Sequence, residues 1–173
     1  MRGKLLVALV VALAFGAVMF VMLRGASKKE VVAFNDACAQ ETRSLGETLS
    51  KMAGAYKEYQ TNGHAADVAL TRTREALAAN ARSAREKVGA LKVPIAEGAR
   101  EFHESVLALF DALEQCCARV GELQELARDP GNSMEKLNAK RKEIEQLEIQ
   151  KYFQTTNSTQ KYFAEKNGFD IEN

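Results

Sequence analysis

The sequence predicts an all-α protein, in which an N-terminal single transmembrane helix precedes an up-down-up-down antiparallel four-helix bundle. Three observations predict this fold. An apolar run opens the chain, heptad-spaced apolar residues recur through the remainder, and Gly, Pro and Asn cluster at three points that divide it into similar lengths. Residues 1–27 are therefore the expected membrane anchor and hinge, and residues 28–173 are the expected bundle domain.

The apolar run is Leu5–Leu23, nineteen residues without a charged or polar side chain. At a rise of about 1.5 Å per residue it spans roughly 28 Å as a helix, close to the thickness of the hydrocarbon core of a bilayer. A cleaved signal peptide is the alternative, but its apolar run is shorter and small residues precede the cleavage site, where this chain has Arg24. The pattern favours an uncleaved signal anchor, with the lipid bilayer as the partner of Leu5–Leu23.

The orientation of this anchor is less strongly encoded, because basic residues flank both ends. Arg2 and Lys4 precede the run, and Arg24, Lys28 and Lys29 follow it, so the positive-inside rule gives nearly a tie. An N-terminal signal of this kind usually sends the following domain across the membrane. We therefore expect the body to be extracytoplasmic, either periplasmic or extracellular.

The charge of the body gives no reason to expect a nucleic-acid partner. The whole chain has a net charge of +1, and the residues before Lys28 hold three of its 24 basic residues and no acid, which leaves a net charge of −2 for the body. Proteins that bind nucleic acids carry basic surfaces that neutralise phosphates. The expected partners are the bilayer and another protein.

Four helices of about 30 residues each are predicted, because apolar residues recur at the spacing of one helical face. In the first, from about Lys28 to Gln60, the stripe is Val31, Cys38, Leu45, Met52 and Tyr59. In the second, from about His64 to Lys92, the stripe is Leu70, Leu77, Ala84 and Leu91. Short connections between such helices make neighbours antiparallel.

The third helix is predicted to begin at Pro94, because proline suits the first position of a helix. Its stripe is Ala99, Phe102, Val106, Leu109, Leu113, Cys116, Val120, Leu123 and Ala127. The fourth is predicted from Ser133, with Asn132 as its cap, to the stop signal Asn167–Gly168. A longer open coiled coil with helices paired between chains is the alternative fold.

The letters QKYF occur twice in the fourth segment, at 150–153 and 160–163. Copies ten residues apart point about 80° away from each other on a helix, so they cannot form one repeated face. The pattern predicts instead a buried stripe of Tyr152, Thr156, Thr159 and Phe163. These four are the candidate residues for contact with a ligand or partner, since the two threonines could line a polar pocket or a partner groove.

The three cysteines are not expected to form a disulfide within the chain. Cys38 and Cys116 would lie about 18 Å apart along diagonal helices, whereas a bond requires Cα atoms within about 7 Å. We expect Cys38 and Cys116 to be buried, and Cys117 to be half exposed.

No motif in the sequence predicts catalysis, a cofactor or a metal site. His103 lies among glutamates, but the repeated Glu-x-x-His pattern of di-iron bundles is absent. The expected function is that of a non-catalytic protein-interaction or envelope-organising module. A small-ligand-binding bundle with a pocket near Thr156 and Thr159 of the C-terminal helix is the alternative. The predicted architecture resembles the extracytoplasmic helical sensor bundles of bacterial receptors at the level of fold only, and this resemblance implies no function.

Overall fold

The computed structural model describes residues 25–171. The predicted membrane span Leu5–Leu23 lies outside these described residues. Within 25–171, no helix combines the length and the hydropathy needed to cross a bilayer. This part of the chain is all-helical, without strands, and is compatible with a helical bundle.

Five α-helices follow one another in the described part of the chain. They are α1 (Lys28–Asn62), α2 (Asp67–Gly89), α3 (Ala99–Arg128), α4 (Met134–Gln146) and α5 (Ile149–Asn167). A 3₁₀ turn, Gly63–Ala66, joins α1 to α2. The first two helices start and end close to their predicted bounds, whereas the third begins later and the predicted fourth helix is divided into α4 and α5.

Helix α1 begins at Lys28 because Ser27 and Glu30 form a capping box. The Ser27 hydroxyl accepts a hydrogen bond of 3.3 Å from the Glu30 backbone N–H, and the Glu30 carboxylate accepts one of 2.8 Å from the Ser27 backbone N–H. Two backbone donors that the helix leaves unpaired are thereby satisfied. The described chain thus enters its first helix within three residues of Gly25.

The prediction that the third helix begins at Pro94 is wrong, since α3 begins at Ala99. Residues 90–98 form a connection without a regular helix, in which the Ala96 N–H bonds to the Pro94 carbonyl at 3.0 Å. The Ile95 carbonyl accepts a hydrogen bond of 3.1 Å from the Ala26 N–H, and Gly98 has a positive φ of 78°. These tertiary and backbone constraints hold the segment out of the helical conformation that proline alone would permit.

The predicted fourth helix is interrupted at Leu147 and Glu148. Helix α4 ends in backbone hydrogen bonds between residues three apart. The Leu147 N–H donates to the Ile144 carbonyl and the Glu148 N–H donates to the Glu145 carbonyl, both at 3.2 Å. Glu148 then takes a φ of 43°, and α5 starts at the next residue. The cap of α4 is Ser133 rather than Asn132, because the Asn132 side chain donates instead to the Leu126 carbonyl at 3.1 Å.

Helices α1, α2 and α3 alternate in direction, and α4 and α5 both run opposite to α3. Polar pairs between them join residues whose numbers rise along one helix and fall along the next: Glu41–Lys87 and Thr48–Asn80 between α1 and α2, Asp67–Arg128 and Arg85–Asp111 between α2 and α3, and Glu122–Lys140 and Ser105–Thr159 between α3 and the last two helices. Helix α3 packs against α2, α4 and α5 and is the centre of the fold. Helix α4 has no buried residue.

The two adjacent cysteines are placed opposite to the prediction: Cys117 is buried and Cys116 is partly exposed. Seven of the nine residues of the predicted stripe are buried, but at Cys116 the three-four alternation departs from the buried face, and the Cys117 sulfur instead meets the Met52 sulfur of α1 at 3.8 Å. Cys38 is buried, as expected, and all three cysteines of the described chain are free thiols. Burial raises the pKa of both Cys38 and Cys117 to about 12.

Candidate functional site at the Ser27 end of the bundle

The Ser27 end of the bundle consists of the start of α1, the connection 90–98, the start of α3 and the end of α5. Four phenylalanines form an aromatic cluster just inside it. Phe163 lies 5.9 Å from Phe34 and 5.5 Å from Phe169 with edge-to-face rings, and it stacks on Phe102 at 5.7 Å. Such pairs each add about 0.5–1.5 kcal/mol beyond the burial of area. This cluster joins α1, α3 and α5.

A group of three hydroxyls lies next to the aromatic cluster, where α5 crosses α3. The Thr156 hydroxyl donates to the Ser105 carbonyl at 3.2 Å, and the hydroxyls of Ser105 and Thr159 are 2.7 Å apart. The Ser105 hydroxyl also bonds to the Phe102 carbonyl at 2.7 Å. These hydroxyls therefore satisfy one another and nearby backbone, because a buried polar group without a partner is costly.

The four residues predicted from the sequence are not all brought together. Thr156 and Thr159 meet through Ser105, and Phe163 lies in the adjacent aromatic cluster. Tyr152, which was predicted to share their buried stripe, is 38% exposed. All four residues lie within α5, but the buried face of that helix is centred on Phe153, Thr156 and Phe163, so Tyr152 falls at the margin of that face.

A buried amide pair adds a second tie between α1 and α5. Asn35 is only 4% exposed, and its Oδ1 accepts a hydrogen bond of 2.9 Å from the Gln160 side chain. On the other side of the cluster, His103 Nε2 lies 2.9 Å from the Val88 carbonyl, to which it donates, and its ring lies 5.8 Å from Phe34. Within the described residues, no three His, Cys, Asp or Glu side chains converge in a way that could hold a metal ion.

An open groove of about 940 Å³ lies beside the aromatic cluster, between the start of α1 and the connection 90–98. Its lining is largely apolar and includes Gly25, Phe34, Leu91, Val93 and Pro94. Ile95 stands at its edge with 67% of its surface exposed. An exposed aliphatic side chain beside an apolar groove is a feature of sites that contact another apolar surface.

Polar contacts from α5 fix the far side of this connection. The Tyr162 hydroxyl donates to the Glu97 carboxylate at 2.7 Å, and the Asn167 amide donates to the Glu97 carbonyl at 2.9 Å. The Tyr162 hydrogen bond, followed by the charge of Lys166, lowers the pKa of Glu97 below its ordinary value. The same bond raises the pKa of Tyr162.

Gly98 is the residue that lets α5 approach this connection so closely. Its φ is 78°, and a Cβ atom there would lie 2.9 Å from the Tyr162 ring and 3.3 Å from the Phe163 Cα. Only glycine takes this backbone conformation at little cost. The sequence offers no separate signal for the groove, since Pro94 and the residues after it match a helix start.

The connection and its exposed Ile95 are the part of this site that sequence patterns do not indicate, because its geometry depends on contacts with Ala26 and with α5. No protein-family model matches the chain, and neither curated proteins nor solved structures provide a similar protein.

Proposed function

We propose that this chain is a single-pass membrane protein whose extracytoplasmic four-helix bundle, up-down-up-down in topology, serves as a non-catalytic protein-interaction or envelope-organising module. The observation that carries the proposal is the adjacency of two elements. The apolar run Leu5–Leu23 ends four residues before Ser27, at which the capping box starts α1. A bundle attached so closely to a span is held at the surface of its membrane.

The state of the polar groups in α5 favours protein interaction over small-molecule binding. A polar ligand pocket needs donors and acceptors that converge on an open space. The hydroxyls of Ser105, Thr156 and Thr159 are instead bonded to one another and to backbone carbonyls. A small ligand at Thr156 and Thr159 would therefore find their hydroxyls already engaged in hydrogen bonds within the protein.

Tyr152 is the best candidate for contact with a protein partner among the four residues predicted from the sequence. It is 38% exposed, whereas Thr156 and Phe163 are 3% and 0% exposed and already packed. It also follows the break at Glu148 closely, in the first turn of α5. Tyrosine is enriched at protein interfaces because its ring buries apolar area while its hydroxyl keeps a hydrogen bond.

Membrane attachment is tested by replacing Val10 and Phe15 with arginine in the full-length chain. A charged residue at the centre of a span costs about 2.5–3.5 kcal/mol on insertion scales. The native chain should stay with membranes after washing with alkaline carbonate and leave them in detergent, and the double variant should be released by the wash. Release of the native chain by carbonate would refute the anchor.

Orientation is tested with a reporter that is active only outside the cytoplasm, fused after Asn173. Activity of the fusion is the expected outcome. A stable fusion without activity would place the body in the cytoplasm.

The interaction role is tested by photo-crosslinking in the native membrane with a photoreactive amino acid at position 152. The control is position 162, which also carries a tyrosine and has a similar exposed fraction, 43% against 38%. Crosslinks to one recurrent protein at 152, absent at 162, are expected. Equal crosslinking at both positions, or none at 152, would contradict the assignment of Tyr152 as a contact.

A further inference from the structure

We infer that the connection 90–98 is a membrane-contacting loop, in which Ile95 inserts into the interface between lipid headgroups and acyl chains of the membrane that holds the anchor. The inference rests on the proposed membrane anchor and adds to it a second, peripheral contact. It assigns the exposed apolar edge of the groove to one occupant, the lipid surface.

The first argument is the tether between the loop and the chain that leaves the predicted span. The Ala26 N–H donates a hydrogen bond of 3.1 Å to the Ile95 carbonyl. Ala26 follows Leu23 by three positions, with Arg24 and Gly25 between them, which limits the distance between the Cα atoms of Leu23 and Ala26 to about 10 Å even in extended chain. The interfacial layer on each side of the hydrocarbon core is about 5–8 Å thick. Ile95 is therefore within reach of this layer whichever way the anchor is oriented.

The second argument is the chemistry of the loop. Ile95 is 67% exposed, and Val93 and Pro94 next to it line the groove. Exposing an isoleucine to water forgoes a favourable transfer free energy, which burial in lipid would recover. The side chain has no such burial elsewhere in the described chain.

The third argument is the set of charges around Ile95. Exposed basic residues surround this end of the bundle, namely Lys28, Lys29, Lys92, Arg100 and Lys166. Carboxylates stand among them: Glu30 accepts from Ser27, Glu97 accepts from Tyr162 and lies 3.5 Å from the Lys166 ammonium, and Glu101 lies close enough to raise the pKa of Tyr162. Lys28, Lys29 and Arg100 match the phosphates of lipid headgroups, because an anionic surface attracts basic residues near it.

The fourth argument concerns Tyr162, which stands on the other side of the connection. It is 43% exposed, and the Lys166 ammonium lies 5.4 Å from the centre of its ring. Tyrosine and lysine are typical of the membrane–water interface, where the ring stays at headgroup level and the ammonium reaches the phosphates. Tyr162 and Lys166 therefore add a pair typical of the membrane interface to the end of the bundle that carries Ile95.

Tryptophan fluorescence tests the inference directly, because the chain contains no tryptophan. Three full-length variants, each with one tryptophan, are reconstituted in vesicles made from zwitterionic and anionic phospholipids, with bromine on part of the acyl chains. Ile95→Trp probes the loop, and Val68→Trp is the matched control, an aliphatic residue 78% exposed at the opposite end of the bundle. Phe20→Trp probes the predicted span.

Brominated lipid is expected to quench the fluorescence of Phe20→Trp strongly. It should quench Ile95→Trp at least threefold more than Val68→Trp, and the emission of Ile95→Trp should shift to the blue. If Phe20→Trp is quenched while Ile95→Trp matches Val68→Trp, the loop contact is refuted and the anchor stands. A blue shift of Ile95→Trp without quenching by lipid would assign the loop to a protein surface and also refute the inference. If Phe20→Trp itself is not quenched, both the anchor and the loop contact fail.

Discussion

The rings of Phe34 and Phe163 meet edge to face with their centroids 5.9 Å apart, and this contact joins the first helix of the bundle to the last. Phe163 is fully buried and also stacks on Phe102 of α3. A single side chain thus connects three helices at the Ser27 end. The contribution of the last helix to stability should accordingly be concentrated in this residue.

Replacing Phe163 with alanine is expected to lower the free energy of unfolding by about 3–5 kcal/mol, because a large buried ring leaves a cavity behind. Tyr152→Ala is the matched control on the same helix, and it should cost less than about 1 kcal/mol, since surface substitutions have small effects. Urea denaturation of the full-length protein in mild detergent measures both. Equal losses would mean that α5 is not held by the aromatic cluster.

The different burial of Phe163 and Tyr152 also shows where prediction from sequence patterns fails. Heptad spacing predicts α1 and α2 well, because their apolar residues are spaced as a single uninterrupted face. In the last segment the same reasoning places Thr156 and Phe163 inside correctly and Tyr152 inside wrongly. The buried face of α5 is centred on Phe153, Thr156 and Phe163, and the spacing of apolar residues alone does not show that Tyr152 falls at its margin. The break at Glu148, a glutamate with a φ of 43°, also gives no signal in the sequence.

The candidate site depends still more on tertiary contacts. The groove exists because Ala26 holds the Ile95 carbonyl and because Gly98 admits Tyr162 closely. Neither contact is local in sequence, so a pattern that considers only neighbouring residues cannot find it. The sequence predicts that aromatic residues gather at the Ser27 end, but it does not predict how their rings pack or where the groove lies.

A pair of glycine substitutions tests the close approach at Gly98. Gly98→Ala should destabilise the protein by about 2–4 kcal/mol, because alanine disfavours the positive φ and its Cβ would collide with Tyr162 and the Phe163 backbone. Gly54→Ala should stabilise it by about 0.5–1 kcal/mol, since Gly54 lies inside α1 with nothing within 4 Å of the new methyl group. Midpoints of thermal or urea unfolding measure the two effects, which must have opposite signs.

The amide of Gln124 offers a test of the polar core at the other end of the bundle. Gln124 is 1% exposed, and its Nε2 donates at 2.7 Å to the Asp67 carboxylate and at 2.9 Å to the Thr71 hydroxyl. Gln124→Glu would place a second carboxylate against Asp67 and remove that donor. We expect a loss of about 2–4 kcal/mol at neutral pH, as for other buried charges without a partner.

The control for this substitution is Gln115→Glu, an exposed position on the same helix, which should change the free energy of unfolding by less than about 0.5 kcal/mol. Lowering the pH should restore part of the loss in Gln124→Glu, because protonation removes the buried charge. A pH-independent loss would assign the effect to packing alone.

The reactivity of the cysteines follows from their burial. The pKa values of Cys38 and Cys117 are raised to about 12, and that of Cys116, which is partly exposed, is also raised. Since the thiolate is the reactive form, a thiol reagent at pH 8 should label Cys116 first, and the other two only in denaturant. Mass spectrometry of labelled peptides measures the order, with Cys116→Ser as the control that should remain unlabelled.

The same shifts predict the effect of alkaline pH on stability. Folding keeps the Cys38 and Cys117 thiols neutral, so their contribution is complete below the ordinary thiol pKa of 9.0 and is lost as the pH rises toward about 12. The free energy of unfolding should therefore fall over this range, and it should fall less steeply in Cys38→Ala. An identical slope in that variant would refute the role of the buried thiol.

The rates of amide hydrogen exchange should differ between the helices according to how many of their side chains are buried. Helix α4 has no buried residue, and its contacts with the rest of the chain include the half-buried Ile144 and ion pairs such as Arg119–Glu143, which contribute little because they are largely exposed. We expect its amides to exchange fastest.

The segment Thr155–Thr159 should exchange more slowly than α4, because Thr156 is buried. It should exchange faster than Leu107–Leu113 in α3, because Thr and Asn are weak helix formers. Mass spectrometry of the deuterated full-length protein measures this order, and equal protection in Thr155–Thr159 and Leu107–Leu113 would show that packing against Ser105 fully outweighs the poor helix propensity of the segment.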